Sequence, residues 1–384
     1  MTAPQMPFVL FRDDLTGRET LFEAPREIII AESPAAYADA LDAAEAARRS
    51  GRWLAGYFSY EAGYLLEPKL ADRLPEGRRA PLLALGVFDG PSDRGHLART
   101  PAATNGPLFD AQATWSPAVY EERFRRLHRH IRQGDCYQAN LTFPVRASWS
   151  GDPLAAFDAL VAWQPVRYGA LVGLGVPMVL SRSPELFFSV DSQRVIETHP
   201  MKGTAPRGET PEEDRRLRES LLRDGKNQAE NRMIVDLLRN DISRICEVGS
   251  LEVPELFRIE TYPTLHQMVS HVRARLRPDA GLADILAALF PCGSVTGAPK
   301  IRAMQILREL EGAPRDVSCG AIGWISPAGP MRFSVAIRTV SLFSGGEAVY
   351  NVGGGVVFDS TAEAEYEECL LKARFATGTV PASA

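Results

Sequence analysis

Short apolar runs and polar breaks divide this chain into many elements. Residues 8–31 alternate β-like runs, FVLF and EIIIA, with a turn at Leu15-Thr16-Gly17. An alanine-rich stretch, 34–49, reads as a helix stopped by Gly51, and RWLAGYFSYEAGYLL as aromatic-rich strand material. Residues 89–117 are rich in Pro, Gly, Thr and Asp without periodicity and read as a connector. That divides an N-terminal region, 1–116, from a core, 117–380. Further helices are expected at 117–133, 153–163, 211–240, 281–289, 299–311 and 361–375. Strands are expected over QANLTFPVRASW, YGALVGLG, PMVLSRS, ELFFSV and QRVIETH, then around 248–252, 256–262 and 266–276. CGAIGWIS, MRFSVAIRTVSLF and EAVYNVGGGVVF complete the set. Several strands follow one another with no helical crossover. The class is therefore mixed α/β or α+β, not a doubly wound dinucleotide fold.

Composition adds exclusions. The chain has 384 residues, 45% hydrophobic and 24% charged, with a net charge of −5. That balance argues against a nucleic-acid partner, since phosphate binding needs a basic face. An anionic ligand would need locally placed cations or a metal. No apolar run is long enough to span a membrane, and the start MTAPQMPFVLFRDD lacks the pattern of a secretory signal. The five cysteines, Cys136, Cys246, Cys292, Cys319 and Cys369, form no CxxC pair. Neither a zinc site nor a disulfide framework is indicated, and a reducing cytoplasm is expected. His128 and His130 lie in a basic helical stretch and are expected to face solvent.

Four stretches could carry chemistry. In SPELFF…THPMKGT, Glu185 opens one strand and Lys202 ends the next, so a hairpin would bring them to one rim. Alone they read as a surface ion pair or a solvated turn lysine; a nucleophilic lysine would need burial or a neighbouring base. In KNQAENRMIVDLLRND, Ala229, Met233, Ile234, Leu237 and Leu238 form an apolar stripe with Glu230 at its edge. In NVGGGVVFDSTAEAEYEECLLKA, glycine N–H groups could approach an anion. Ser360 and Glu363 suit a capping box. Glu365, Glu368 and Lys372 share a helix face, either as a surface Glu368–Lys372 pair or as acids for a divalent cation and a cation for a carboxylate. In PCGSVTGAPKIRAMQIL, Thr296 and Gly297 precede a helix N-terminus suited to anions. Arg338 in SVAIRT would add a fixed cation. Together the set suits a small substrate with more than one carboxylate, held in part by Mg²⁺.

In their order, SPELFF, PMKGTAPRG, QAENRMIVDLLRND, GSVTGAPKIRAM, CGAIGW, FSVAIRT and GGGVVFDSTAEAEYEECLLKA resemble the chorismate-utilising enzymes. GDCYQANLT and, more weakly, GYFSYEAG extend the resemblance, which is dense from about 119 to 376. It implies one large α/β unit with two facing antiparallel sheets, outer helices and a cleft between the halves. The PMKGT lysine resembles the aminodeoxychorismate-forming branch, where anthranilate synthases have PIAGT. The water-activating lysine of the isochorismate branch has no counterpart in YQANLT. The resemblance implies Lys202 as nucleophile at ring carbon 2 of chorismate and Glu185 as general acid. It implies Glu230 and Glu368 as Mg²⁺ ligands, with Glu365 acting through water. Thr296, Arg338, Lys372 and the backbone of Gly354 and Gly355 would hold carboxylates. A separate glutamine amidotransferase would supply ammonia, and a lyase would release 4-aminobenzoate, the folate precursor. Two positions depart from the family: Gln267 stands where many relatives have histidine, with His266 one position off, and Trp324 replaces a tyrosine. The alternatives are an anthranilate synthase component I and a non-catalytic ligand-binding subunit that keeps the fold.

Overall fold

The computed structural model describes residues 7–92, 108–175, 177–262, 265–379 and 381–383. Residues 93–107, most of the expected connector, lie outside the described residues. Eight α-helices are described: α1 (Pro34–Arg49), α2 (Pro117–Arg132), α3 (Pro153–Trp163), α4 (Pro211–Arg223), α5 (Gly225–Ser243), α6 (Leu282–Leu289), α7 (Lys300–Glu311) and α8 (Ala362–Thr377). Four start where an oxygen-bearing side chain precedes proline. Ser33, Ser116, Asp152 and Thr210 each accept a backbone N–H at the first turn of α1, α2, α3 and α4.

Two sheets of ten strands each form the framework. The first runs Arg18–Glu23, Phe8–Asp13, Tyr168–Gly173, Met178–Ser183, Thr339–Leu342, Glu347–Val356, Gln138–Trp149, Leu108–Ala113 and Ala382–Ser383. Gly297–Ala298 adds to Gln138–Trp149. The second runs Met201–Pro206, Leu265–Arg275, Val195–Thr198, Leu186–Val190, Met331–Val335, Ala321–Ile325, Trp53–Phe58, Leu83–Phe88 and Glu27–Ala31, with Glu252–Thr261 on Leu265–Arg275. All pairings are antiparallel except Ala382–Ser383 beside Leu108–Ala113. Val9, Phe22, Val172 and Val179 of the first sheet meet Tyr57, Phe88 and Ile322 of the second in a shared core. α1, α5 and α6 cover the outer face of the second sheet; α2, α3 and α8 cover that of the first. Strands such as Trp53–Phe58, Leu83–Phe88, Tyr168–Gly173 and Met178–Ser183 thus bury both faces, which explains their near-continuous apolar runs. The facing antiparallel sheets and outer helices are those the sequence implied. No helix of the described residues is long and apolar enough to cross a membrane.

Several expected boundaries shift. The helix expected over 211–240 is two, because Asp224 ends α4 and caps α5 by accepting the Asn227 N–H. The 248–252 and 256–262 strands are one, Glu252–Thr261. Leu108–Ala113, inside the expected connector, is a strand against Gln138–Trp149. Ala229 is exposed; the buried face of α5 is Asn231, Ile234, Val235, Leu238, Asp241 and Ile242. Ser360 and Glu363 form no capping box, because the Ser360 hydroxyl is engaged by the Val357 N–H and the Glu365 carboxylate and Thr361 takes the cap position. His128 and His130 are half-buried, the first against the Phe358 carbonyl and the second against Asp135.

Candidate active site

One antiparallel pair of segments runs through both sheets. Met178–Ser183 belongs to the first sheet and Leu186–Val190 to the second, so the chain crosses at Pro184-Glu185. Met331–Val335 lies in the second sheet and Thr339–Leu342 in the first, so it crosses back at Ala336–Arg338. The sequence pattern suggested one unbroken strand there. Arg338 has φ +50°, outside the strand region, and that turn ends the ladder. The crossings are hydrogen-bonded side by side: Val335 N–H donates to the Glu185 carbonyl (3.1 Å) and Arg182 N–H to the Arg338 carbonyl (2.9 Å). The Ser183 hydroxyl donates to the Val335 carbonyl at 2.6 Å.

Glu185 and Arg338 therefore emerge from neighbouring bends. Glu185 is 5% exposed, and its Oε1 has no hydrogen-bond partner among the described residues. Burial pushes its carboxyl up to about 7, against the opposing pull of the Ser294 hydroxyl and the Lys202 charge. Burial alone lowers Arg338 to about 10. Among the described residues it has no carboxylate partner, so a guanidinium is held ready for an anion that comes from outside.

The expected hairpin exists: Leu186–Val190 pairs with Val195–Thr198, Val190 opposite Ile196. Lys202 does not end that second strand, however. The strand stops at Thr198 and a new one, Met201–Pro206, starts against Leu265–Arg275 with a register break between Met201 and Thr204. Gly203 occupies φ +80°, and a Cβ there would meet the Asn227 side chain of α5 at 2.8 Å. Glycine is therefore required beside Lys202. Gln267 braces this bulge, donating to the Gly203 carbonyl (2.8 Å) and accepting from the Thr204 hydroxyl (3.0 Å). His266 turns away to Asp214 and Thr261. The departure noted at 267 thus supports the lysine's backbone.

The Lys202 amine crosses from the second sheet to the first. A Cβ on Gly355 would stand 3.2 Å from Lys202 Nζ and 2.4 Å from Gln138 Nε2. Gln138 is fully buried, and neither amide atom has a hydrogen-bond partner among the described residues. It is the site residue that sequence reasoning missed: it sits in the YQANLT stretch noted only for lacking a lysine. Burial lowers the Lys202 pKa; Glu230 opposes that, Lys372 adds to it, and Glu185 and Glu368 oppose it. One desolvated amine thus lies among three carboxylates.

Glu230, Glu368 and Lys372 lie close enough for their charges to act on that amine. A Cβ on Gly354 would stand 2.7 Å from Glu365 Oε2. Burial raises the Glu365 carboxyl, the Ser360 hydroxyl offsets part of it, and the Glu368 charge raises it further. Glu368 is burdened by burial, yet its pKa is lowered because the Lys372 ammonium lies 2.8 Å away. Lys372 also donates to the Gly353 carbonyl at 3.1 Å. Glu230, Glu365 and Glu368 are all-oxygen anionic donors, and two of them repel each other; this chemistry fits a hard divalent cation. Their carboxylates are not gathered within 4.8 Å of one another, so an ion there would complete its shell with water or substrate, as Mg²⁺ does. The buried Thr296 hydroxyl donates to the Cys292 carbonyl at 3.0 Å, and its carbonyl accepts the Asn140 N–H at 2.8 Å. Its hydroxyl is thus occupied by backbone. Trp324 packs on Trp53 and lines a separate cavity between the sheets, whose lining includes neither Lys202 nor Glu185.

A fold of two facing sheets with a desolvated amine, a raised carboxyl and an unpaired arginine at their seam describes a class that known proteins share. Residues 96–378 match a family described as chorismate binding enzyme. The chain is similar to aminodeoxychorismate synthase component 1 of Klebsiella aerogenes, 39% identical over 339 residues, or 83% of this chain and 74% of that protein. It is also similar to anthranilate synthase component 1 1 of Haloarcula marismortui, 40% identical over 274 residues, or 71% of this chain and 55% of that one. Its fold resembles the crystal structure of anthranilate synthase component I from Streptococcus pneumoniae TIGR4, with TM-score 0.80, 27% identity and coverage of 98% and 93%. This chain belongs to the chorismate binding enzyme family.

Proposed function

We infer that this chain is the chorismate-aminating component of an aminodeoxychorismate synthase, converting chorismate and ammonia to 4-amino-4-deoxychorismate. The observation that carries the reading is the Lys202 amine, desolvated and facing Gly355 across the seam. The neutral amine attacks ring carbon 2, both conjugated ring double bonds shift away from it round the ring, and the bond from carbon 4 to its hydroxyl breaks. Glu185, poised at about 7, gives its proton so that the hydroxyl leaves as water. Ammonia then attacks carbon 4, both double bonds return to their original places, and the carbon–nitrogen bond to Lys202 breaks to free the amine. The new ammonium gives a proton back to Glu185. Arg338, Lys372 and the backbone of Gly354 and Gly355 orient the substrate carboxylates, while Thr296, whose hydroxyl and N–H both donate to backbone carbonyls, holds the Asn140 backbone of the neighbouring strand instead of a carboxylate. When bound, Mg²⁺ held by Glu230 and Glu368, with Glu365 through water, supplies positive charge for the ring carboxylate.

Ammonia comes from a separate glutamine amidotransferase component, and the product passes to an aminodeoxychorismate lyase on the route to 4-aminobenzoate. Five buried free thiols suit a reducing cytoplasm. The test is purified chain with chorismate, Mg²⁺ and ammonium, products separated by chromatography. Aminodeoxychorismate is expected without glutamine or partner. Anthranilate as sole product would instead support the reading suggested by the Haloarcula and Streptococcus relatives. No turnover at saturating ammonium would leave a binding subunit.

Gly355→Ala adds a methyl group between Gln138 and Lys202. A displacement of this kind costs up to about 100-fold in kcat, while the strand position has no positive φ and the crowding of buried Gln138 costs about 1–3 kcal/mol, so the melting temperature falls by a few degrees and the chain stays folded. Turnover and thermal melting measured on one preparation check this. Undiminished turnover means that the working amine lies elsewhere.

A further inference from the structure

A second group of ligating side chains lies on the second sheet, outside the chemistry above. Val195–Thr198 pairs with Leu265–Arg275, Glu197 opposite Arg273 and Thr198 opposite Val272. One residue further, His199 comes opposite His271. Side chains alternate along strands, so Glu197, His199 and His271 share a face. One ligand atom from each lies within 4.8 Å of the others, and among the described residues no other trio of His, Cys, Asp or Glu does so. The two rings meet edge to face with centroids 4.7 Å apart. His271 Nε2 stands 3.5 Å from Glu197 Oε1. That is long for a hydrogen bond but close to the roughly 3.3 Å between two ligands of a tetrahedral ion with bonds of about 2.05 Å. The Nε2 atoms of both histidines are shielded from solvent without a hydrogen-bond partner among the described residues, an uncommon state for two adjacent rings. The nearby Arg258 is already paired with Glu255 and Glu260.

We propose that Glu197, His199 and His271 bind one transition-metal ion of the Zn²⁺ class. Its fourth position faces the inter-sheet cavity of about 450 Å³ that Glu197 and His199 help to line. Two imidazoles and one carboxylate favour Zn²⁺ over Mg²⁺, which sets this site apart from the all-carboxylate one. The bound ion ties two strands together just before Pro200, whose carbonyl accepts the Ser270 N–H, and so pins the segment leading into Met201–Pro206.

The full chain, stripped with chelator, is titrated with Zn²⁺ by calorimetry in excess Mg²⁺. One equivalent is expected, with binding weakened about tenfold or more in His199→Ala and in His271→Ala. Co²⁺ in place of Zn²⁺ should give visible d–d bands without thiolate charge transfer. If the alanine variants do not fold, His199→Gln and His271→Gln replace them. No stoichiometric uptake, uptake unchanged in both histidine variants, or a thiolate band would overturn the proposal.

Discussion

The Lys202→Ala variant is expected to lose at least about three orders of magnitude in kcat while remaining folded. A nucleophile that works as a unit with its acid leaves little residual rate when removed. The stability half of this expectation has its own cause. Burial penalises the Lys202 ammonium, so its folded pKa lies below that of a free lysine. Folding therefore carries a cost at neutral pH that vanishes above the free-lysine value of 10.5. Removing the amine takes that cost away, and the variant should be no less stable than the parent at pH 7. Chorismate turnover, intact-mass detection of a substrate adduct and thermal melting are measured together. A persistent adduct or an unchanged rate would sink the role given to Lys202.

Glu185→Gln separates catalysis from stability in the same way. As the general acid is lost, kcat should fall by about 100-fold or more. The carboxyl has a folded pKa of about 7 against 4.5 when free. The wild-type chain is thus unpenalised below pH 4.5, loses stability as pH rises toward 7, and carries the full cost above it. A shift of this size corresponds to about 3 kcal/mol at pH 8, shrinking to below about 1 kcal/mol at pH 5. Denaturant unfolding across that range should show the glutamine variant gaining on the parent with rising pH. Equal stability at both ends contradicts a buried carboxyl held uphill.

How far the sequence could be read depended on whether the signal was local. Helix starts were legible because Ser33-Pro34, Ser116-Pro117, Asp152-Pro153 and Thr210-Pro211 each combine cap and first turn. The hairpin that joins Glu185 to the Lys202 segment was legible from its length. The crossing at Arg338 was not, because FSVAIRTVSLF alternates well enough to pass for one strand; only the backbone turn reveals the change of sheet. Gln138 was hidden because nothing local says that its amide ends against a glycine more than 200 residues away. His199, just past the end of Val195–Thr198, and His271 are 72 positions apart, and their shared face follows only from a register that the sequence does not print.

The paired crossings divide the machinery into a rigid part and an adjustable part. Glu185 and Arg338 sit on adjacent bends of one hydrogen-bonded ribbon, so a shift of one sheet over the other carries them together. Lys202 and Gly355 belong to opposite sheets and face each other across the seam. Small sliding motions therefore change the reach of the nucleophile while the acid and the anion clamp keep their spacing. A substrate covalently attached to Lys202 and gripped by Arg338 would act as a temporary rivet between the sheets, and amide exchange along the seam should slow for as long as it lasts.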